Sequence, residues 1–423
     1  MNSQDTGTFK TGDGRDITVN AIADLYRDGL SLSSPYSGRI FQLGKDNYSL
    51  SCQFSTVDCD NLESIKTSKS YSLVKSQTPD KQIESVRCIS NPQLVGEIAV
   101  VTSENGRYLA RLKESAKDQD NKRQYLELWD RSKLLKTIDI NELEEHGPIN
   151  VDEYFSFMSW CPYGDQDKLL YVCQSKKPKF QSFFKQQVKE GKIRNLGDDY
   201  SKIEDWGECL EGISHTMAAV IDITSLKITT YNLDDHSLAD SRWLDGGNKI
   251  VSTAIKETPK RLGLVYCNNR PCKILIHELN DASSFDIHIK SQSLHSPRVS
   301  HCGQKLLYLK SPLFGAHHHS VSLCLYDLKT GSSVELASDL FVTLPERCFS
   351  MDDKYVLFLN ENYLHNEMSV INLESRQLSK IKFPTTGVNI LDFNHDIILA
   401  SGSKIDTTPT LYVAILTTPD LVA

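Results

Sequence analysis

The sequence predicts an all-β protein, a β-propeller of about seven four-stranded blades preceded by a short helix. Three observations predict it. Short apolar strands with polar turns run to the end of the 423-residue chain; the clearest are Val321–Leu328 before the turn Lys329-Thr-Gly331, and Met368–Leu373 before Glu374-Ser-Arg376. Like elements recur: Tyr-Asp-Leu at Asp327 is echoed by Ile-Asn-Leu at Asn372, about 45 residues on, the spacing of one blade. The helical crossovers of a parallel α/β sheet are missing. Length suits seven blades and leaves six or eight open, with an incomplete last blade also open.

Ala21–Leu32 sets Ile22, Leu25 and Tyr26 on one face at helical spacing, with Gly29 as the expected stop. Residues 1–35 are read as a helical extension and 36–423 as the propeller. Weakly patterned strands follow at Arg39–Phe41, Tyr48–Phe54, Tyr71–Val74 and Gly96–Val101, then clearer ones at Tyr108–Leu112 and Tyr125–Asp130. In the latter, Leu126 and Leu128 alternate with polar neighbours, marking one buried face, and Lys133–Asp139 is its expected partner. Tyr154–Trp160 turns through Cys161-Pro-Tyr-Gly-Asp165 into Lys168–Cys173.

From about 178 to 210 the rhythm breaks. Phe180–Val188 reads as a short helix within a polar insertion, which either lines a functional face or is uninvolved surface. Strands resume at Thr216–Asp222, Lys227–Tyr231, Lys249–Thr253, Leu262–Tyr266, Lys273–His277, Phe285–Ile289, Ser296–Ser300, Lys305–Leu309 and Lys354–Leu359. The last are Asn389–Phe393, Asp396–Ala400 and Thr410–Ile415, where Leu411–Ile415 is the candidate open edge of an incomplete blade.

A net charge of -8 argues against a nucleic-acid partner, which needs clustered Lys and Arg; Lys176-Lys-Pro-Lys179 reads as a solvated turn. No apolar run approaches the ~20 residues of a membrane helix, and no apolar segment follows Met1, so neither membrane span nor secretory leader is expected. Eleven cysteines, an odd number with several in apolar strands, read as reduced buried thiols in the cytoplasm; Cys267 and Cys272 are taken the same way. Adjacent residues on a strand face opposite sides, so only some of His317–His319 could share one ion; the run reads as a solvated loop tip, and no metal or cofactor is expected.

No nucleophile elbow, His-Gly-Gly stretch, dinucleotide fingerprint or phosphate loop occurs. The densest motif is Glu204-Asp-Trp-Gly-Glu208, three carboxylates around an aromatic and a glycine. It reads either as a loop rim for a cationic or amide-bearing ligand, or as a loop that seats Trp206 as a packing wedge. Glu204, Asp205, Trp206, Glu208 and Arg270 are the substrate-gating or interface candidates. An enzyme within the propeller would need Glu204, Asp205 or Glu208 to share a pocket as acid and base. His395 and Ser401 lack the elbow and oxyanion context of a triad.

Several stretches, in order along the chain, bear a family likeness: Leu25-Tyr-Arg27, Tyr125–Trp129, Glu145-His-Gly-Pro148, Leu169–Val172, Lys176–Lys179 with Ser182-Phe-Phe184, and Glu204–Glu208. Arg261-Leu-Gly263, Cys267–Arg270, Ser296-Pro-Arg298 and Leu323–Asp327 continue it. Jointly they resemble the N-terminal propeller of acylaminoacyl-peptidases, serine hydrolases of the prolyl oligopeptidase class. The resemblance implies a propeller that restricts access for short N-acylated peptides, and a following α/β-hydrolase domain with a Ser-Asp-His triad. It also implies that the N-terminal helix packs on that domain. This sequence reaches Ala423 with no hydrolase segment, so no triad residue is carried onto any position, and the chain alone is expected to be inactive. The expected partners are an α/β-hydrolase domain or subunit, or short N-acylated peptides, with a homo-oligomer left open. The alternative is a protein-binding scaffold propeller, a paralogue that lost its hydrolase domain, which an exposed aromatic patch near Trp206 would favour.

Overall fold

Alternating apolar residues give each strand two usable faces, and the backbone stacks strands so that both are covered. The computed structural model describes residues 8–10, 16–76, 82–96, 98–116, 122–164, 166–176, 186–189, 192–195, 205–207, 209–267, 269–281, 283–316, 319–362, 365–404 and 407–417. The chain divides into two compact units, Glu97–Phe341 and Met1–Gly96 with Val342–Ala423. Four blade sheets lie in the first and three in the second, making a seven-bladed β-propeller.

In the unit Glu97–Phe341, blade 2 is Ala99–Thr102, Tyr108–Ala116, Lys122–Asp130 and Lys133–Asp139. Blade 3 is Met158–Trp160, Lys168–Gln174, Thr216–Asp222 and Ile228–Tyr231. Blade 4 is His236–Leu244, Lys249–Lys256, Cys272–Glu278 and Ser284–Ile287. Blade 5 is Gln292–Val299, Lys305–Pro312, Val321–Asp327 and Ser332–Leu340. Lys168–Gln174 shows how the stack is built: Leu169, Tyr171 and Cys173 join the core with Leu126 and Leu128 of blade 2, while Leu170 joins Leu238 and Ile250 of blade 4. Each such side chain contributes about 1.5–3 kcal/mol by leaving water.

In the other unit, blade 1 is Ser34–Gln42, Asn47–Asp58, Glu63–Lys75 and Ile83–Cys88, with Gln93–Leu94 also on the third strand. Blade 6 is Val342–Thr343, Tyr355–Asn362, His365–Asn372 and Leu378–Lys380. Blade 7 has three strands, Gly387–Asn394, Ile397–Lys404 and Thr407–Ile415. Among the described residues, Thr407–Ile415 pairs along one side only, with Ile397–Lys404. Blades 1 and 7 share no ladder among the described residues. Ile40, Leu50 and Leu73 instead pack on Ile397 and Leu399, so this junction is made by side chains.

Some expectations shift. The helix α1 spans Val19–Leu30, capped by Thr18, whose hydroxyl accepts from the Ala21 amide at 3.2 Å; Gly29 lies inside it and Ser31 ends it. Gln186–Lys189 is a strand paired with Lys192–Asn195, not helix; residues 177–185 of the insertion lie outside the described residues. Leu262–Tyr266 is a loop, and Tyr154–Phe155 belong to a turn in which both amides donate to Asp152 Oδ1. The strand His236–Leu244 is the main element the pattern hides. It carries one extra residue between Ala239 and Arg242, with Asp240 at φ 49°. The first strands of blades 1, 5 and 7 are bulged likewise, and each bulge breaks the period-2 signal.

Gly38, in the first strand of blade 1, lies against blade 7: a Cβ there would come within 2.5 Å of Leu399 Cδ2 and 3.3 Å of Leu391 Cβ. Gly38→Ala is expected to cost about 1–3 kcal/mol in denaturant unfolding through overpacking. An unchanged midpoint would show that the junction gives way freely.

Candidate functional site

The insertion leaves blade 3 after Gln174 and returns at Thr216, on the rim where the second strand of blade 4 ends at Lys256 and its third begins at Cys272. Asp205 anchors the returning loop. Its Oδ1 accepts from the Gly207 amide and its Oδ2 from the Gly212 amide, both at 2.7 Å. Both glycines have positive φ, 66° and 76°, which suits them to this tight loop. Trp206 is 2% exposed and sits among Phe155, Leu210, Ile213, Ala239, Ile255 and Leu264. The Arg261 guanidinium lies 5.2 Å from its ring centroid. Glu204 and Glu208 lie outside the described residues. Arg270 donates from Nε to the Gly263 carbonyl at 2.9 Å. Next to it, Asn269 Nδ2 donates to the Gly315 carbonyl at 3.0 Å, tying the 257–271 loop to the start of the loop after Pro312.

Beneath Trp206 lies a polar network that sequence reasoning missed. Glu257 Oε1 accepts from Ser237 Oγ and stands 2.9 Å from His215 Nδ1, while Oε2 pairs with Arg261 Nη2 at 3.0 Å. Arg261 also donates to the Ile213 carbonyl at 2.8 Å. Burial pushes the Glu257 carboxyl up, but the hydrogen bonds from His215, Ser237 and Arg261 outweigh it and hold its pKa at about 2. The residue types are those of a triad, but the order is wrong. Ser237 and His215 both turn to the carboxylate, and Ser237 is fully buried, accepting from the Thr216 amide at 3.0 Å. Acyl transfer needs a reachable serine hydroxyl hydrogen-bonded to its base, so this network holds the rim together and does not attack a substrate. His395 sits in the blade 7 hairpin turn at φ 52°, whereas Ser401 is mid-strand opposite Asn389.

The chemistry is thus that of a rigid, braced rim. A family model described as acylamino-acid-releasing enzyme, N-terminal domain, matches residues 20–324. The chain belongs to that family. Among relatives, the acylamino-acid-releasing enzyme of Rattus norvegicus is 27% identical over 354 residues, covering 77% of this chain and 48% of the rat protein. That of Homo sapiens is 25% identical over 430 residues, covering 93% and 58%. The chain spans about half the length of these acylamino-acid-releasing enzymes. A solved Pyrococcus horikoshii acylaminoacyl peptidase is similar with a TM-score of 0.55 at 12% identity, over 92% of this chain and 53% of that one. The β-propeller domain of the Trilobed protease from Pyrococcus furiosus, described as having an open velcro topology, aligns with a TM-score of 0.50 at 14% identity, over 92% and 97%. At these identities the likeness shows the fold.

Proposed function

We propose that this chain is the non-catalytic, substrate-gating propeller of an acylaminoacyl-peptidase-like serine hydrolase, and that an α/β-hydrolase domain or subunit supplies the triad. The observation that carries the reading is the match to the N-terminal domain of that family over residues 20–324, in a chain where the Ser237, His215 and Glu257 cluster of the braced rim has its serine buried and its order wrong. Helix α1 supports a docked partner: none of its residues is buried, and Ile22, Leu25 and Tyr26 are 42%, 64% and 67% exposed along one face. The substrates are short N-acylated peptides, which a propeller admits while holding back folded chains. All eleven cysteines are free thiols, which supports a reducing, cytoplasmic setting. Among the described residues no helix is long and apolar enough to cross a membrane.

The purified chain is expected to leave an N-acetylalanine chromogenic amide uncleaved and to take no serine-reactive fluorophosphonate label. Co-expressed with the C-terminal half of the human relative, it is expected to co-purify, and Leu25→Asp is expected to abolish the capture. Turnover with a labelled serine in this chain, or capture that ignores Leu25→Asp, would overturn the respective half of the reading.

A further inference from the structure

The same rim of blades 4 and 5 holds a cleft of about 270 Å³ to which none of the four residues of the Glu257 network contributes a lining side chain. Four of its lining side chains are basic or imidazole: Lys256, Lys273, His236 and His288. One is acidic, Asp286, and its Oδ2 is taken by Lys273 Nζ at 2.6 Å. Lys256 makes no ion pair among the described residues. Its neighbour Glu257 points across the strand into the Arg261 network, as period-2 alternation requires, and so does not neutralise it. His236 stands with Nδ1 3.0 Å from the Asp234 carbonyl, which directs Nδ1–H there and leaves Nε2 for another partner. Leu313 and Pro271 supply an apolar wall. In a chain of net charge -8, a concavity whose lining is net cationic is set against its background.

The geometry points to a binding site for a small organic carboxylate, with the carboxylate on Lys256 and the imidazoles and a short apolar group against Leu313. Lysine and imidazole act as point donors, which suits a single oxyanion group. The cleft lies wholly within blades 4 and 5, so the assignment stands independently of the peptidase reading.

Isothermal titration of the full chain with N-acetylalanine, its C-terminal amide and inorganic phosphate tests this. N-acetylalanine is expected to bind, its amide to bind at least about tenfold more weakly, and Lys256→Glu to lose a similar factor, because a charge-assisted contact is lost. Lys256 is exposed, so the variant is expected to keep the parent's unfolding midpoint, and His288→Gln provides a second, milder loss. Equal binding of acid and amide, or binding indifferent to Lys256→Glu, overturns the site. Phosphate binding as tightly as N-acetylalanine overturns the organic-carboxylate assignment, because the apolar wall would then contribute nothing.

Discussion

Asp392→Ala is expected to lose about 3–5 kcal/mol of unfolding free energy, the cost of breaking a buried ion pair from one side. Asp392 is 2% exposed, and three donors converge on it. The Ile40 amide donates to Oδ2 at 2.7 Å, Arg347 Nε donates to Oδ1 at 2.9 Å, and Arg347 Nη2 reaches Oδ2. The same guanidinium donates to the Ile40 carbonyl at 3.1 Å. One carboxylate therefore stands where blades 1 and 7 meet without a shared ladder among the described residues. Alanine leaves the Ile40 amide buried without its acceptor and removes the charge facing Arg347. Asp392→Asn keeps an acceptor for Ile40 and is expected to cost less, about 1–3 kcal/mol. Guanidinium denaturation followed by tryptophan fluorescence and circular dichroism reads both variants. A loss below about 1 kcal/mol for alanine would mean that hydrophobic packing at Ile40 and Leu399 alone carries the junction.

That clasp also shows what the sequence does and does not reveal. Second strands such as Lys168–Gln174 and Lys305–Pro312 are covered on both faces, so they read as near-continuous apolar runs and are easily seen. First strands are harder. Asp240 and Asp392 sit at bulges, and each carboxylate reaches a neighbouring blade's first strand, Asp240 through Arg298 Nη1 at 2.7 Å and Asp392 through the Ile40 amide. A charged residue at such a position looks like a turn, and His236–Leu244 vanishes from the pattern for that reason. Loop 262–266 fails in the opposite direction. Leu262, Leu264 and Val265 look strand-like, but only Leu264 is buried, under Trp206, while Val265 and Tyr266 face outward.

The candidate site was legible as a place and less so as chemistry. The Glu204–Glu208 motif marks the returning insertion, and Asp205 and Trp206 do hold it, one by accepting two backbone amides and the other by filling the core. The scaffold alternative would be favoured by an exposed aromatic patch near Trp206; Trp206 itself is buried, while Tyr266 and Phe314 are 60% and 61% exposed. The Glu257 network left little local trace because only Glu257 and Arg261 are neighbours in sequence, while His215 and Ser237 come from two other stretches that the fold brings to them.

Glu257→Gln is therefore the second large effect expected, a loss of about 3 kcal/mol at neutral pH. Glutamine keeps the shape but gives up the charge that faces Arg261, whose side chain is only 10% exposed. The sign of the pH dependence follows from the depressed carboxyl. Its pKa moves from the ordinary 4.5 to about 2 on folding. Between those values the unfolded chain binds the proton and the folded one does not, so stability rises with pH across that window. The contribution is fully present above about pH 5 and is lost as pH falls through about 2. It amounts to something on the order of 3 kcal/mol by the usual conversion of pKa displacement to free energy. Glutamine does not titrate, so the stability gap between parent and variant is expected to narrow steadily as pH falls from about 5 to about 3, whatever the other acids do. Paired urea titrations at those two pH values measure it. A gap that stays constant would place the energetic weight of the network on the Ser237 and His215 hydrogen bonds and not on the charge of Glu257.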